Sequence, residues 1–191
     1  MRVLVACERS GVVRDAFRLL GHDAWSCDIA TGEKGGPHIH GDALDHLTDG
    51  WDMLIAHPPC TWLARVNIHN RRLHVKDERD ARAFAWALWS APIQLVAVEN
   101  PIGALWDELG KPTQVIEPWQ FGHPYTKRTC LWLRGLPLLV PTTAGVHGDN
   151  SRPGRKPAHV DTWTEAHRSA QLRSKTFEGI ALAMASQWGQ A

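Results

Sequence analysis

Two short motifs in this chain carry side chains that could act together on one substrate. The first is His57-Pro58-Pro59-Cys60, directly after the apolar run Met53 to Ala56. The second is Glu99-Asn100-Pro101, directly after Leu95 to Val98. Each apolar run reads as a short buried strand that proline stops, because its ring fixes φ and removes a backbone donor. A cysteine and a carboxylic acid are therefore expected at the carboxyl ends of two strands of one sheet, the edge at which open α/β sheets bind ligands. A thiolate is a strong nucleophile, and nearby cations or helix ends lower its ordinary pKa of about 8.5. A thiolate and an acid on opposite sides of a flat heteroaromatic ring suit one reaction in particular. Attack at carbon 6 of a pyrimidine makes carbon 5 nucleophilic, and a proton given to ring nitrogen 3 stabilises the adduct. A methyl donor over carbon 5 would complete the set.

Other readings of the same residues are weaker. A lone unpaired cysteine is more often a small buried hydrophobe, the role expected of Cys7, Cys27 and Cys130 at or next to strands. Glu99 alone would be a structural acid, and it gains weight only beside Cys60. A zinc site built on His57-x-x-Cys60 lacks a second His/Cys pair at ligand spacing, so no metal is expected. Methylation of an amino group calls for an acid or Asn ahead of Pro-Pro-aromatic, whereas this chain has His57 before the prolines and Cys60 after them.

The elements that must position these residues follow an α/β pattern. Arg2 to Ala6 reads as a central parallel strand, Gly11 to Leu20 as a helix closed by Gly21, and Asp23 to Cys27 as a second strand ending at Asp28. The intervening turn, Cys7-Glu8-Arg9-Ser10-Gly11, can present backbone amides and a helix amino terminus to a ligand, and the acid after the second strand can bind ribose hydroxyls. Asp28 as a plain helix cap or surface acid fits the residues equally well. A polar, Gly-rich loop over 31–40 leads to Asp42, which joins the same edge if Ile39 lies in a third strand. Asp77 to Ala91 carries Ala81, Phe84, Ala85, Leu88 and Trp89 on one helical face and stops before Pro92. Val115-Ile116 and Cys130 to Leu133 are further strands, residues 141–162 read as an irregular insertion, and Phe177 to Trp188 as a closing helix.

A chain of 191 residues, 43% apolar and 21% charged, suits one soluble domain with a substantial core. No apolar run is long enough to cross a membrane, and Met1 to Ala6 turns polar too soon for a signal peptide. The scattered cysteines favour reduced thiols in a cytoplasm. Net charge is +1, but unevenly spread. Residues 61–76 hold Arg65, Arg71, Arg72 and Lys76 with no acid; residues 151–175 hold six cations, Arg155 and Lys156 among them, against two acids, a local net of +4. Two basic segments on a near-neutral body suit a polyanion bound along one face, although each alone could be a solvated loop. Most of the ten tryptophans should fill the core, with Trp62 and Trp163 as candidates for base contact.

Taken together, the motifs resemble the DNA cytosine-5 methyltransferase family in a shortened, phage- or prophage-type form, over most of the chain. Pro58-Pro59-Cys60 resembles its nucleophile loop and Glu99-Asn100-Pro101 its acid, in family order. Ser10-Gly11 through Gly21, with Asp28, resemble its S-adenosylmethionine motif and the acid that holds the cofactor ribose. Gly41-Asp42 resembles the motif whose acid contacts the adenine. Tyr125-Thr126-Lys127-Arg128-Thr129 stands where the family has a Gln-x-Arg-x-Arg run, and Arg173 to Trp188 resembles the closing motif. The resemblance implies a Rossmann-like α/β methyltransferase fold with a mostly parallel sheet. It would have a catalytic core over 1–133, a very small target-recognition insertion over 134–172, and a C-terminal helix over 173–191 returning to the core. It implies Cys60 as nucleophile, Glu99 as acid, and Lys127 or Arg128 as a catalytic cation on base or phosphate. Cofactor contacts would fall on Ser10, Gly11, Asp28, Asp42 and Pro58, and nucleic-acid contacts on Arg65, Arg71, Arg72, Asn100, Arg155 and Lys156. The implied setting is the cytoplasm of a bacterium or a phage-infected cell.

Three functions follow as expectations: methylation of carbon 5 of cytosine in DNA with the base flipped out; the same chemistry on RNA or a free cytidine nucleotide; or a non-catalytic nucleic-acid binder that keeps the fold. The last is motivated by Cys7-Glu8-Arg9, which stand where the family has an aromatic residue and glycines, and by a closing motif without its Gly-Asn.

Overall fold

The computed structural model describes residues 1–64, 74–143, 161–162 and 175–191. Strands β1 (Arg2–Ala6), β2 (Asp23–Asp28), β3 (His38–His40), β4 (Met53–Ala56), β5 (Leu95–Pro101), β6 (Gln114–Ile116) and β8 (Thr129–Arg134) form one sheet in the order β3-β2-β1-β4-β5-β8-β6. From β3 to β5 all pairings are parallel. Strand β8 runs antiparallel to both β5 and β6. A separate two-residue ladder joins β7 (Tyr125–Thr126) to β9 (Asp161–Thr162). This is the Rossmann-like, mostly parallel α/β sheet that the sequence predicts.

The central strands are apolar throughout because both faces of the sheet are covered. Val3, Val5, Met53, Ile55 and Ala97 point into one core with helices α1 (Val12–Leu19) and α4 (Glu178–Trp188), through Val13, Phe17, Ile180, Met184 and Trp188. Their sequence neighbours Leu4, Ala6, Leu54, Ala56, Val96 and Val98 point into a second core with α2 (Val75–Trp89) and α3 (Leu105–Leu109). The closing helix thus packs on α1 and anchors itself through Trp188, whose Nε1 donates to the Pro137 carbonyl at 2.9 Å.

Two features of this order position the site. The chain builds outward from β1 in one direction through β2 and β3, and then in the other through β4 and β5, so the topological switch point lies between β1 and β4. Ligands bind at that point, outside the carboxyl ends of the strands. Because β8 is antiparallel, its start, not its end, reaches the same edge: Thr129 pairs with Pro101 and Cys130 with Asn100. Lys127 is thereby brought beside the end of β5, an arrangement that strand spacing alone does not foretell.

Candidate active site

Each parallel strand ends in one of the residues singled out above. After β4 the ladder runs one residue further, with the His57 amide donating to the Ala6 carbonyl at 3.0 Å. Pro58 is buried, and Pro59 and Cys60 are exposed. The turn that follows is tight: the amides of Leu63 and Ala64 both donate to the Cys60 carbonyl, at 3.1 and 2.9 Å. It is clamped from the side by the segment after β5. The Ala104 amide donates to the Leu63 carbonyl at 2.7 Å, and Ala64 makes an antiparallel bridge with Gly103.

The two motifs are locked to each other. Ala56 pairs with Val98, so the next positions along the same parallel register are His57 with Glu99 and Pro58 with Asn100. Both pairs are bonded through side chains. Nδ1 of His57 lies 3.0 Å from Oε2 of Glu99, and Nδ2 of Asn100 donates to the Pro58 carbonyl at 2.8 Å. A carboxylate can only accept, so Nδ1 of His57 is the donor of this bond. Charge-assisted hydrogen bonds of this kind contribute about 1.5–3 kcal/mol. Burial pushes the Glu99 carboxyl up, but the hydrogen bond and charge of His57 and the charge of Lys127 outweigh it and hold the group below its ordinary value. Two polar atoms at this junction, Nε2 of His57 and Oδ1 of Asn100, are buried without a partner. Such atoms cost about 1–3 kcal/mol each.

Thiol environments separate Cys60 from its fellows. Burial pushes Cys27 and Cys130 up to about 11, and it pushes Cys7 up further, with the acids Asp28 and Asp42 adding to the shift. A thiol at 11 is essentially un-ionised at neutral pH, which removes its nucleophilicity. Cys60 is the exposed thiol, at the end of a proline-stiffened loop.

On the other side of the switch point lies the turn after β1. Cys7 adopts φ of 58°, a left-handed conformation that is uncommon for a side chain with a Cβ. Glu8 then folds back over α1. Its Oε1 accepts from the Val13 amide at 2.7 Å and its Oε2 from the Arg14 amide at 3.2 Å, while Ser10 Oγ lies 3.4 Å from Oε1. Gly11 has φ of 71°, and a Cβ there would stand 2.3 Å from the Arg14 guanidinium. That guanidinium is fully buried and donates to Ser26 Oγ and to the carbonyls of Gly35 and Pro37, fixing the loop between β2 and β3. Asp28, half-buried, caps that loop by accepting from the Ala30 amide at 2.8 Å; Asp42, exposed, accepts from Leu44 at 3.0 Å. Both act electrostatically on Cys7, so both acids face the end of β1.

The structure therefore brings Cys60, Glu99, Asn100, Pro58 and Lys127 to one end of the sheet, next to the Ser10, Gly11, Asp28 and Asp42 set. Arg128 is apart from them: it is largely exposed and its Nε pairs with Glu117 at 3.5 Å. Lys127 is half-buried, with its Nζ 5.9 Å from the Phe177 ring centroid. Trp62 stacks on His74 with ring centroids 4.1 Å apart. Arg65, Arg71, Arg72, Arg155, Lys156 and Trp163 lie outside the described residues. Sequence reasoning missed Glu8, Arg14 and the role of His57. The signal for His57 was present: aligning the prolines that end two adjacent strands sets His57 against Glu99.

Among the described residues no group of three or more His, Cys, Asp or Glu could hold a metal ion, and no helix is long and apolar enough to cross a membrane. Neither a protein-family model nor a curated protein matches the chain. Among solved structures it is similar to a protein assigned as a DNA modification methyltransferase encoded within an E. coli prophage, at 12% identity and a TM-score of 0.45, covering 70% of this chain and 46% of that one. It is also similar to a mutant of Spodoptera frugiperda DNMT2, at 15% identity and a TM-score of 0.43, covering 84% of this chain and 54% of that one. The chain thus spans about half the length of these two structures.

Proposed function

We propose that this chain methylates carbon 5 of cytosine in DNA, using S-adenosylmethionine. The observation that carries the reading is the junction of β4 and β5, beside the switch point, where an exposed thiol loop and a half-buried carboxylate are tied together by the His57–Glu99 and Asn100–Pro58 hydrogen bonds.

The cofactor side fits a cation better than a phosphate. A helix amino terminus ordinarily invites an anion, but here Glu8 already takes the amides of Val13 and Arg14. Burial pushes the Glu8 carboxyl up, so it is Asp28 and Asp42, which both act on Cys7, that make the edge acidic. That suits the sulfonium and ammonium charges of S-adenosylmethionine and disfavours a pyrophosphate. Ser10 and Gly11 would line the turn, Asp28 would bind the ribose hydroxyls, Asp42 the adenine edge, and Pro58 would wall the cleft. When bound, the cofactor supplies an electrophilic methyl group.

The chain's own residues would do the rest. Cys60 Sγ, as thiolate, bonds to carbon 6, and the electron pair of the 5,6 double bond moves to carbon 5. A proton taken up from solvent would be held between Glu99 and ring nitrogen 3, where it draws charge off the adduct. Once carbon 5 has been methylated, it loses its hydrogen as a proton and Sγ leaves with the bonding pair, restoring the ring and the thiolate. Asn100 and Lys127 would contact the base or its phosphate, with Arg128 further out. Arg65, Arg71, Arg72, Arg155 and Lys156 would neutralise phosphates, offsetting the few kcal/mol that flipping a base costs. Residues 134–172 would serve as a reduced recognition region, with 1–133 as the core and 173–191 closing it, and such a small region suits a short or loose target.

The test is transfer from labelled S-adenosylmethionine to duplex DNA, single-stranded DNA, RNA and dCMP, beside Cys60→Ala and Glu99→Gln. Label on carbon 5 in DNA, lost in both variants, supports the proposal. Label only on RNA or dCMP moves the substrate. Wild-type turnover in either variant refutes the mechanism, and no transfer with no cofactor binding leaves a nucleic-acid binder.

A further inference from the structure

We propose that His57 is the positioning residue for Glu99, holding Oε2 of its carboxylate so that Oε1 is presented to ring nitrogen 3 of the base. The inference rests on the cytosine reading above and adds a residue to it. Three observations carry it. The Nδ1–Oε2 separation is 3.0 Å, between side chains only 10% and 16% exposed, so the bond is shielded from competing water. The backbone on both sides is fixed, by the β4–β5 ladder and by the Asn100–Pro58 bond, which sets His57 directly opposite the acid. Nε2 is buried without a partner, so Nδ1 supplies the ring's one hydrogen bond, and it is spent on the acid.

The groups that face the pair come from each neighbouring element. Glu8 acts on His57 from the turn after β1, Lys127 acts on Glu99 from the turn before β8, and Glu99 in turn acts on Cys130 of β8. Of these, His57 alone is hydrogen-bonded to Glu99. A buried carboxylate without that donor would turn freely about its last torsion and would bind a proton more readily, because desolvation disfavours the charged form.

The test compares His57→Leu, His57→Asn and His57→Gln in the full-length protein. The amide nitrogen of Asn lies close to where Nδ1 lies, and that of Gln close to where Nε2 lies. Methyl transfer to DNA is followed as kcat and KM against pH. A second assay traps the covalent adduct on DNA containing 5-fluorocytosine, where carbon 5 has no proton to lose. The Leu variant should lose roughly ten- to a hundredfold in kcat, with KM for DNA nearly unchanged. Its inflection for Glu99 should move to higher pH. Asn should restore both kcat and the position of the inflection, and Gln should restore neither. If Leu fails to fold, the Asn-against-Gln contrast decides. Equal activity in Asn and Gln, or a pH profile that stays put in every variant, overturns the positioning role. Failure of the wild-type protein to form the adduct overturns the cytosine reading instead, which keeps the two outcomes apart.

Discussion

Gly103 offers the sharpest test of how the thiol loop is held. A Cβ built there would stand 1.8 Å from the Leu63 carbonyl oxygen, 2.8 Å from its carbonyl carbon and 3.0 Å from the Ala64 Cα. Real Cβ atoms essentially never approach other heavy atoms closer than 3.0 Å, so Gly103→Ala forces a retreat of at least 1.2 Å (3.0 − 1.8). The three nearest atoms are all backbone, so no side chain can swing aside from them. The Leu63 carbonyl also accepts the Ala104 amide, and the Leu63 amide is bonded to the Cys60 carbonyl, so the displacement passes straight to the thiol loop. Overpacking of this kind costs about 1–3 kcal/mol, a fall of about 2–12 °C in melting temperature for a chain of this size. A reacting atom misplaced by about 1 Å can lose a hundredfold in rate. The expected outcome is a folded protein with a modestly lowered melting temperature and kcat down by about that factor. The alkylation rate of Cys60 by iodoacetamide, compared against Cys60→Ala, reads the same displacement without relying on any assigned function. Wild-type kcat, alkylation and melting temperature in Gly103→Ala would refute the clamp.

Asn100→Ala should release the Pro58 carbonyl and lower kcat by loosening the thiol loop, while the cost of the orphaned acceptor, about 1–3 kcal/mol, is offset by removal of the unpartnered Oδ1; wild-type kcat would contradict it. Glu99 gives a pH prediction with a definite sign. Its carboxyl is held below the ordinary value of 4.5 when folded, despite burial, by the hydrogen bond and charge of His57 and the charge of Lys127. Its contribution to stability is therefore complete above about pH 4.5 and drains as pH falls through the folded value. The melting-temperature gap between wild type and Glu99→Gln should narrow on acidification from about pH 6 to 3, and a widening gap would mean that the sign is wrong.

What was legible in the sequence is what local chemistry writes there. Prolines after apolar runs marked the ends of β4 and β5, and Gly21, with φ of 85°, marked the end of α1. The alternation of two cores along each strand was implicit in strands that were apolar at every position. Long-range pairing was less legible. Nothing local in Thr129–Arg134 says that it inserts antiparallel between β5 and β6, yet that insertion is what brings Lys127 to the edge where Glu99 lies.

The turn after β1 shows most clearly why spacing fell short. Read as a string, Cys7-Glu8-Arg9-Ser10-Gly11 has one glycine and stands where the resembled family has an aromatic residue and further glycines. Folded, it solves a different problem. The amides at the start of α1 need an acceptor, and a bound phosphate would ordinarily be one. Here Glu8, buried, accepts from two of them, and the single glycine sits at the position where a Cβ would strike the Arg14 guanidinium. Glycines that elsewhere make room for phosphates are unnecessary in a turn that carries its own carboxylate. Burial pushes the Glu8 carboxyl up, so the negative charge of this edge rests chiefly on Asp28 and Asp42, which act on Cys7.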